Sequence, residues 1–318
     1  MVQFTQLSCM NQNIVAAGVI GLTTIALVLT GCSFGTGGFG TISLDLTDAP
    51  IVDAEGVEGV FITIESIAYN LNDEWVEDTD FSGPQTFNLL ELTGGEIAPL
   101  SDMEIEAGEV TQIRFMTAAA VEGDDSTMQS YIAIDNDGVA DGDDTDDTKH
   151  ELFVPSADQT GYKANGPFTV PVNGTIEITA DFDIRKSVHE KSGGIYILRP
   201  TIRLVVNNQA GTIVGDFTDD STEAFQNYTI FAYEDGTYDS NESSLTIPFE
   251  NAISSTAPID SDDDDILDSY KIPFLAEGNY DLVVVGVASD GTYTVLDSSS
   301  YNDIEVSAES EVTQHIVL

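Results

Sequence analysis

Apolar and polar residues alternate over short stretches along most of the chain, and few segments show a helical period. Thr41-Ile42-Ser43-Leu44-Asp45-Leu46 alternates strictly, which predicts a half-buried strand closed by a turn at Thr47-Asp48-Ala49-Pro50. Gly59-Val60-Phe61-Ile62-Thr63-Ile64 is apolar enough to predict a strand buried on both faces. Asn72-Asp73 predicts a turn, with Trp75 and Val76 continuing a hairpin. Phe87–Leu92 reads as a strand or a short helical turn, and 108–115 as another strand. Further strands are expected at 130–134, 151–154, 168–172, 174–183 and 194–206. Asn207-Asn208-Gln209-Ala210 reads as a linker, and a second set of strands follows from Gly211. The expected fold class is all-β, with one β-sandwich over 41–206 and a second over 211–318.

The N-terminal pattern differs. Residues 14–30 carry no charge and are dominated by Ile, Val, Leu, Ala and Gly, ending in Leu29-Thr30-Gly31-Cys32. An apolar run followed by small residues is the pattern of an export signal. The tetrapeptide resembles a bacterial lipobox, which implies cleavage of 1–31 and a covalent lipid such as palmitate on Cys32. An uncleaved transmembrane helix is the competing reading, since the run approaches the length that spans a bilayer. The signal departs from the usual pattern in having no Lys or Arg before Ile14. Ser33 follows the cysteine, and in lipoproteins of this kind that implies the outer membrane of a bacterial envelope. Residues 32–40 then form a flexible tether. Cys9 leaves with the signal, so the mature chain keeps no free thiol and no disulfide.

Charge sharpens this picture. The chain has 56 acidic and 9 basic residues, for a net charge of −47. Such a surface excludes nucleic acid as a partner. It also repels anionic lipid headgroups, which leaves membrane attachment to the lipid. Adaptation to a saline medium and binding of divalent cations both account for the acidity. Disorder does not, because apolar residues make up 42% of the chain. Five of the nine basic residues, Arg185, Lys186, Lys191, Arg199 and Arg203, lie close together. They are expected to pair with carboxylates on neighbouring strands, with an acidic ligand as the alternative.

Candidate chemistry centres on acidic loops. Asp135, Asp137, Asp141 and Asp143 fall in a run with glycines at 138 and 142, which suits calcium, an ion that takes several oxygen ligands around a sharp turn. The run resembles aspartate-rich calcium repeats, although Asp146 stands where an EF-hand loop would place Glu. A second cluster, Asp262, Asp264 and Asp268, lacks the glycine. Solvated acidic loops are the bland reading of both. His150, His189 and His315 are far apart in sequence, and His189-Glu190 reads as a polar turn. No catalytic or phosphate-cradling motif is present, so the chain is not expected to be an enzyme. Trp75, the single tryptophan, is read as core or as part of a binding face.

Several ordered segments carry a family resemblance. Gly40–Pro50, Leu89-Leu90-Glu91-Leu92, Ala107–Arg114, Leu152–Ser156, Asp181–Val188 and Tyr196–Pro200 together resemble the bacterial domain of unknown function 4382. Val110 replaces the aromatic residue usual after Gly-x in the corresponding strand motif of that family. The resemblance implies an exported lipoprotein and no established activity. From Gly211, the strand at 228–233, the Gly278-Asn279-Tyr280 segment and the closing strands are similar to carboxypeptidase-regulatory-like, transthyretin-type sandwiches. Glu309 stands where those modules usually have glycine. The expected role is thus an envelope-anchored lipoprotein with a non-enzymatic binding or structural function, stabilised by calcium. The alternative is a glycan- or polymer-binding accessory protein, and the expected partner is a protein or glycan of the envelope.

Overall fold

The structure is a computed structural model that describes residues 38–318, except 50–56, 119, 125, 127, 136–146, 156, 221–224, 226, 246, 262–265 and 289–291. The first strands are β1 (Phe39–Ala49), β2 (Val57–Ile64), β3 (Ser66–Leu71), β4 (Glu74–Glu77), β5 (Gln85–Asn88), β6 (Ala98–Glu106) and β7 (Gly108–Met116). They are followed by β8 (Tyr131–Ile134), β9 (Thr148–Phe153), β10 (Tyr162–Val170), β11 (Thr175–Asp183), β12 (Val188–Lys191), β13 (Ile195–Leu198) and β14 (Ile202–Val206). These build an eight-stranded sheet in the order β4-β3-β7-β10-β14-β11-β1-β6 and a six-stranded sheet in the order β12-β13-β9-β8-β2-β5. Ile42, Leu44, Ile113, Phe115 and Phe182 of the first sheet meet Val60, Ile62, Ile132 and Leu152 of the second in one core. Each such side chain, fully buried, contributes roughly 1.5–3 kcal/mol relative to exposure.

The alternation of β1 puts Ile42, Leu44 and Leu46 inward. The strand does not stop at the expected turn: it runs on through Thr47, Asp48 and Ala49, all buried. It continues because β11 runs beside it in parallel, in register from Thr41↔Thr175 to Ala49↔Asp183. β2 also departs from expectation, since Phe61 is only half-buried and stacks on Tyr131 with ring centroids 4.5 Å apart. Only one face of this strand lies in the core. The expected strand at 194–206 splits at Arg199-Pro200, where the chain passes from the six-stranded sheet to the eight-stranded one. Proline cannot donate to a ladder, so the crossing falls there. The Asn72-Asp73 turn forms with both residues at positive φ, 51° and 68°, the type I′ geometry that matches strand twist.

The remaining strands are β15 (Ala210–Thr218), β16 (Asn227–Glu234), β17 (Ser254–Thr256), β18 (Ser269–Ala276), β19 (Gly278–Val287), β20 (Tyr293–Asp297), β21 (Ile304–Val306), β22 (Glu311–Thr313) and β23 (Ile316–Val317). One sheet runs β18-β15-β22 with β23 also on β15, and the other runs β17-β16-β19-β20 with β21 also on β19. Ile213, Ile272, Ile230 and Leu282 fill the space between them. The strands β16 and β19 are buried on both faces, because Phe231, Val283 and Val285 pack under Phe249 and Ala252 on the other side. The segment that covers them is fixed by Glu242, which is 2% exposed. Its carboxylate accepts from Tyr233 Oη at 3.0 Å, Asn251 Nδ2 at 2.9 Å and the amides of Asp239 and Asn251 at 3.2 Å.

The architecture is therefore all-β, as two sandwiches. Both lie in a single compact unit, Gly37–Leu318. Of the segment 207–210, expected as a linker, Asn207–Gln209 is a short 3-10 turn and Ala210 already opens β15, and Thr179 Oγ1 donates to Asn207 Oδ1 at 2.8 Å. Among the described residues no helix is long and apolar enough to cross a membrane.

Candidate functional site

The end of β11 concentrates buried charge. Asp48, Asp181 and Asp183 are each less than a tenth exposed. They lie on β1 and β11, where parallel pairing sets Thr47 beside Asp181 and Ala49 beside Asp183. Asp183 caps the helical turn Ile184–Ser187, accepting from the Lys186 amide at 3.3 Å. It also pairs with Arg185 at 3.0 Å and Lys186 at 3.1 Å. Burial alone would raise its pKa. Arg185 and Lys186 overcome that and hold it below the usual carboxylate value. Asp181 faces Arg203 in register on β14 and pairs with it, yet burial still leaves its pKa raised.

Among the described residues Asp48 has no cation at contact distance. Its Oδ1 accepts from the Ile184 amide at 3.2 Å, and Oδ2 is buried without a hydrogen-bond partner. Burial first, then repulsion from Asp181 and Asp183, pushes its pKa well above the ordinary range. Two carboxylates thus hold cations and the third favours its proton.

These cations reach into the C-terminal sandwich. Arg185 Nη1 donates to the Phe249 carbonyl at 2.7 Å, and Lys186 Nζ to the Ala252 carbonyl at 2.7 Å. The Arg185 guanidinium also lies 5.0 Å from the Phe231 ring centroid. The acid–base cluster therefore acts as a bracket across the two sandwiches, and its donors are engaged by backbone carbonyls. The expected pairing of the basic residues holds for Arg185, Lys186 and Arg203, and Lys191 pairs with Glu122. Sequence reading missed the carbonyl partners, because a main-chain acceptor leaves no trace in residue type.

The expected calcium ligands are only partly described. Asp137, Asp141 and Asp143 lie outside the described residues, as do Asp262, Asp264 and Cys32 with its leader. Asp135 is 7% exposed at the end of β8. Ile134 pairs with Thr148, so Asp135 and Asp147 are brought together at the base of the acidic loop. Asp268 accepts from the Ser261 amide at 3.1 Å and from Ser261 Oγ at 2.7 Å. That hydrogen bonding lowers its pKa. Among the described residues no group of three His, Cys, Asp or Glu side chains is placed to hold a metal.

His189-Glu190 is not a turn: both residues lie on β12, paired with Ile197 and Tyr196. Burial and Arg199 lower the pKa of His189. His150 packs against Tyr196 at 5.6 Å, and His315 lies far off in the C-terminal sandwich, where Nδ1 accepts from the Asp216 amide at 3.1 Å.

Trp75 is on the surface, 42% exposed, which settles its place on a face and not in the core. β4 is an edge strand, so its side chains have neighbours on one side only. The Arg114 guanidinium lies over the indole, 3.7 Å from the ring centroid. Ser66, Ala68, Val76, Glu77 and Met116 complete a shallow depression of about 350 Å³ around this pair.

No curated protein matches the chain. Among solved structures it is similar to a putative adhesin from Bacteroides ovatus, with a TM-score of 0.23, 10% identity, and coverage of 88% of this chain and 92% of that one. The major pilin subunit of Bacillus cereus is similar at a TM-score of 0.21 and 10% identity, with coverage of 88% and 99%. The chain spans 26% of a leucine-rich repeat protein from Bacteroides thetaiotaomicron, at a TM-score of 0.22 and 9% identity, covering 88% of this chain. It spans 34% of the Bacillus anthracis TIE protein. At these TM-scores the likenesses carry no functional information. The sequence itself is more telling: residues 39–200, which make up half of the chain and the strands β1 to β13, match the model of the domain of unknown function DUF4382, and the chain belongs to that family.

Proposed function

We propose that the chain is an envelope-anchored lipoprotein, tethered through Cys32, with a non-enzymatic binding or structural role. One observation carries this reading. The cations that Asp183 holds, Arg185 and Lys186, are engaged in joining the sandwiches, while the exposed aromatic chemistry sits on an open sheet face at Trp75. Catalytic groups with perturbed pKa values serve best in a cleft. Here Asp48, Asp181 and Asp183 lie against the helical turn and the neighbouring strands. A tether followed by two joined sandwiches suits a protein that holds a binding face away from a membrane.

The localisation we infer is a bacterial outer membrane, with the chain attached by acyl groups; two or more chains give stable attachment. Calcium is proposed as a stabiliser of the acidic loop, whose base is set by Asp135 and Asp147. A glycan- or polymer-binding role is the second reading, and the exposed Trp75 beside Arg114 favours it.

The anchored reading is tested by metabolic labelling of the full chain with palmitate, together with membrane fractionation. Label and membrane association should both disappear in Cys32→Ser. If the variant keeps its membrane association, the lipid-anchor reading is wrong.

A further inference from the structure

The outer face of the eight-stranded sheet is divided. Its β1–β11 end meets the C-terminal sandwich through Arg185 and Lys186. Across β10, β7, β3 and β4, Ile113, Phe115, Ile67 and Tyr69 turn into the core, so Gln112, Arg114, Ala68 and Asn70 face outward. Register aligns them in rows. Trp75 stands opposite Asn70, Asn70 opposite Gln112, Gln112 opposite Asn165, and Asn165 opposite Arg203. In the next row Glu77 stands opposite Ala68, Ala68 opposite Arg114, and Arg114 opposite Lys163. The small side chain of Ala68 leaves the gap in which Arg114 reaches the indole. From Trp75 to Arg203 the first row crosses four strand spacings, about 19 Å.

The charges on this face are unusual for the chain. Basic residues number 9 against 56 acidic ones. Arg185, Lys186, Lys191 and Arg203 each pair with a carboxylate. Arg114 and Lys163 instead stand directly opposite each other, and neither makes an ion pair among the described residues. Like charges at opposed positions of neighbouring strands destabilise a sheet. Arg114 Nε donates to Gln112 Oε1 at 3.2 Å, and Gln112 Nε2 donates to Asn165 Oδ1. Thr111 Oγ1 donates to Asn70 Oδ1 at 2.8 Å. These bonds orient the amides and leave the outer N–H edge of the guanidinium for a ligand.

We propose that this face binds a polysaccharide bearing uronic acids. The geometry supplies each contact such a ligand needs. An exposed indole offers an apolar surface to the C–H face of a pyranose ring. A guanidinium stacked on an aromatic keeps its N–H fork for a planar carboxylate, which it meets bidentately. Lys163, one strand further, supplies a second cation. Asn70, Gln112 and Asn165 supply amide groups to sugar hydroxyls along the row, and Glu77 accepts from hydroxyls at the rim. The net charge does not forbid an anionic polymer, because carboxylates more than a Debye length away are screened, at about 8 Å in physiological salt. The extended row suits a chain and not a single small molecule. This inference rests on the reading of the protein as an envelope binding protein and names its ligand.

The single tryptophan makes the site its own reporter. The full chain, held in a non-ionic detergent, is titrated with polygalacturonate, dextran or dextran sulfate at fixed salt while Trp75 emission is followed. Polygalacturonate should change the emission saturably, and dextran should not. Arg114→Ala and Lys163→Ala should each weaken binding at least tenfold, and Arg114→Lys should fall between Arg114→Ala and the parent. Lys149→Ala, on the six-stranded sheet, should bind as the parent does. Lys163 is exposed, so its removal leaves the core intact and keeps the test open even if Arg114→Ala folds poorly. An equal response to dextran, or a response to dextran sulfate alone, overturns the uronic-acid assignment and leaves the binding face standing. Silence with all three polymers overturns the site, while the palmitate label still judges the anchored reading separately.

Discussion

Arg185 and Phe249 join the two sandwiches: the arginine side chain, 5% exposed, donates to the Phe249 carbonyl at 2.7 Å while Asp183 pairs with it at 3.0 Å. The arginine serves three groups at once, a carboxylate, a carbonyl and the Phe231 ring. Arg185→Ala leaves Asp183 buried with only Lys186 beside it and leaves the carbonyl without its donor. Removing one partner of a buried pair costs about 3–5 kcal/mol. The expected result in denaturant is a loss of that order and a single transition that separates into two, as the sandwiches lose their bracket. A single transition at the parent midpoint would show that Arg185 does not couple them.

Asp48 gives the fold a pH dependence of its own. Its folded pKa is raised, by burial first and then by Asp181 and Asp183. The unfolded group titrates near about 3.9. Between that value and the folded pKa the native state binds more protons than the unfolded state, so stability falls as pH rises. The favourable contribution is complete below the unfolded pKa and is lost as pH rises through the folded one. Asp183 acts oppositely: its pKa is lowered, so its contribution is present above the ordinary carboxylate value and is lost as pH falls through the folded pKa. Asp48→Asn should flatten the decline with rising pH, leaving the part that Asp181, also raised, contributes, and should leave the acid limb. Urea midpoints measured from pH 3 upward decide this, and an unchanged alkaline slope counts against Asp48.

How much of this was legible in the sequence differs by feature. Alternation gave the inward set of β1, and Asn72-Asp73 marked the β3–β4 hairpin because turn residues of this kind tolerate two positive φ angles in succession. That Arg203 pairs with a carboxylate on a neighbouring strand was legible, but that the carboxylate is Asp181 was not, since the register of β14 on β11 decides it. The parallel contact of β1 with β11 was not legible either, because the partners lie more than a hundred residues apart and alternation does not say which strand lies alongside. That contact is what turned an expected turn at Asp48 into strand. Trp75 looked ambiguous because residue type reports hydrophobicity and not whether a strand falls at a sheet edge. Glu309, noted as standing at a glycine position, has φ of 52°, so the left-handed backbone persists where the glycine does not. The residues expected to bind calcium, Asp137, Asp141 and Asp143, lie outside the described residues.

Glu242 is the fixed point of the segment over β16 and β19. Each carboxylate oxygen accepts two hydrogen bonds, Oε1 from the Asp239 amide and Asn251 Nδ2, Oε2 from Tyr233 Oη and the Asn251 amide. Burial and this carboxylate push the Tyr233 pKa up. In Glu242→Gln one oxygen becomes an NH₂ group that must face two donors. The expected cost is about 2–4 kcal/mol, because buried donors are left without acceptors. Tyr233→Phe removes one donor and should cost less, about 1 kcal/mol. Equal stability of Glu242→Gln and the parent would mean that the segment is held by Phe249 and Ala252 alone.

Calcium gives the last test, because Asp135 and Asp147 already stand together at the base of the acidic loop. An ion that binds only the native state adds RT ln(1 + [L]/Kd), about 2.7 kcal/mol when the ligand is at a hundred times Kd. Thermal unfolding of the full chain, with calcium titrated at constant high ionic strength and magnesium as the control, separates binding from screening. A saturable rise with calcium alone is expected, and Asp137→Ala with Asp141→Ala should abolish it. Magnesium takes fewer protein ligands and holds its water, so it should not substitute. If the midpoint follows ionic strength and is indifferent to the cation, the acidity is an adaptation to salt. In that case the loop carries no site, since counterions screen its carboxylates without coordinating them.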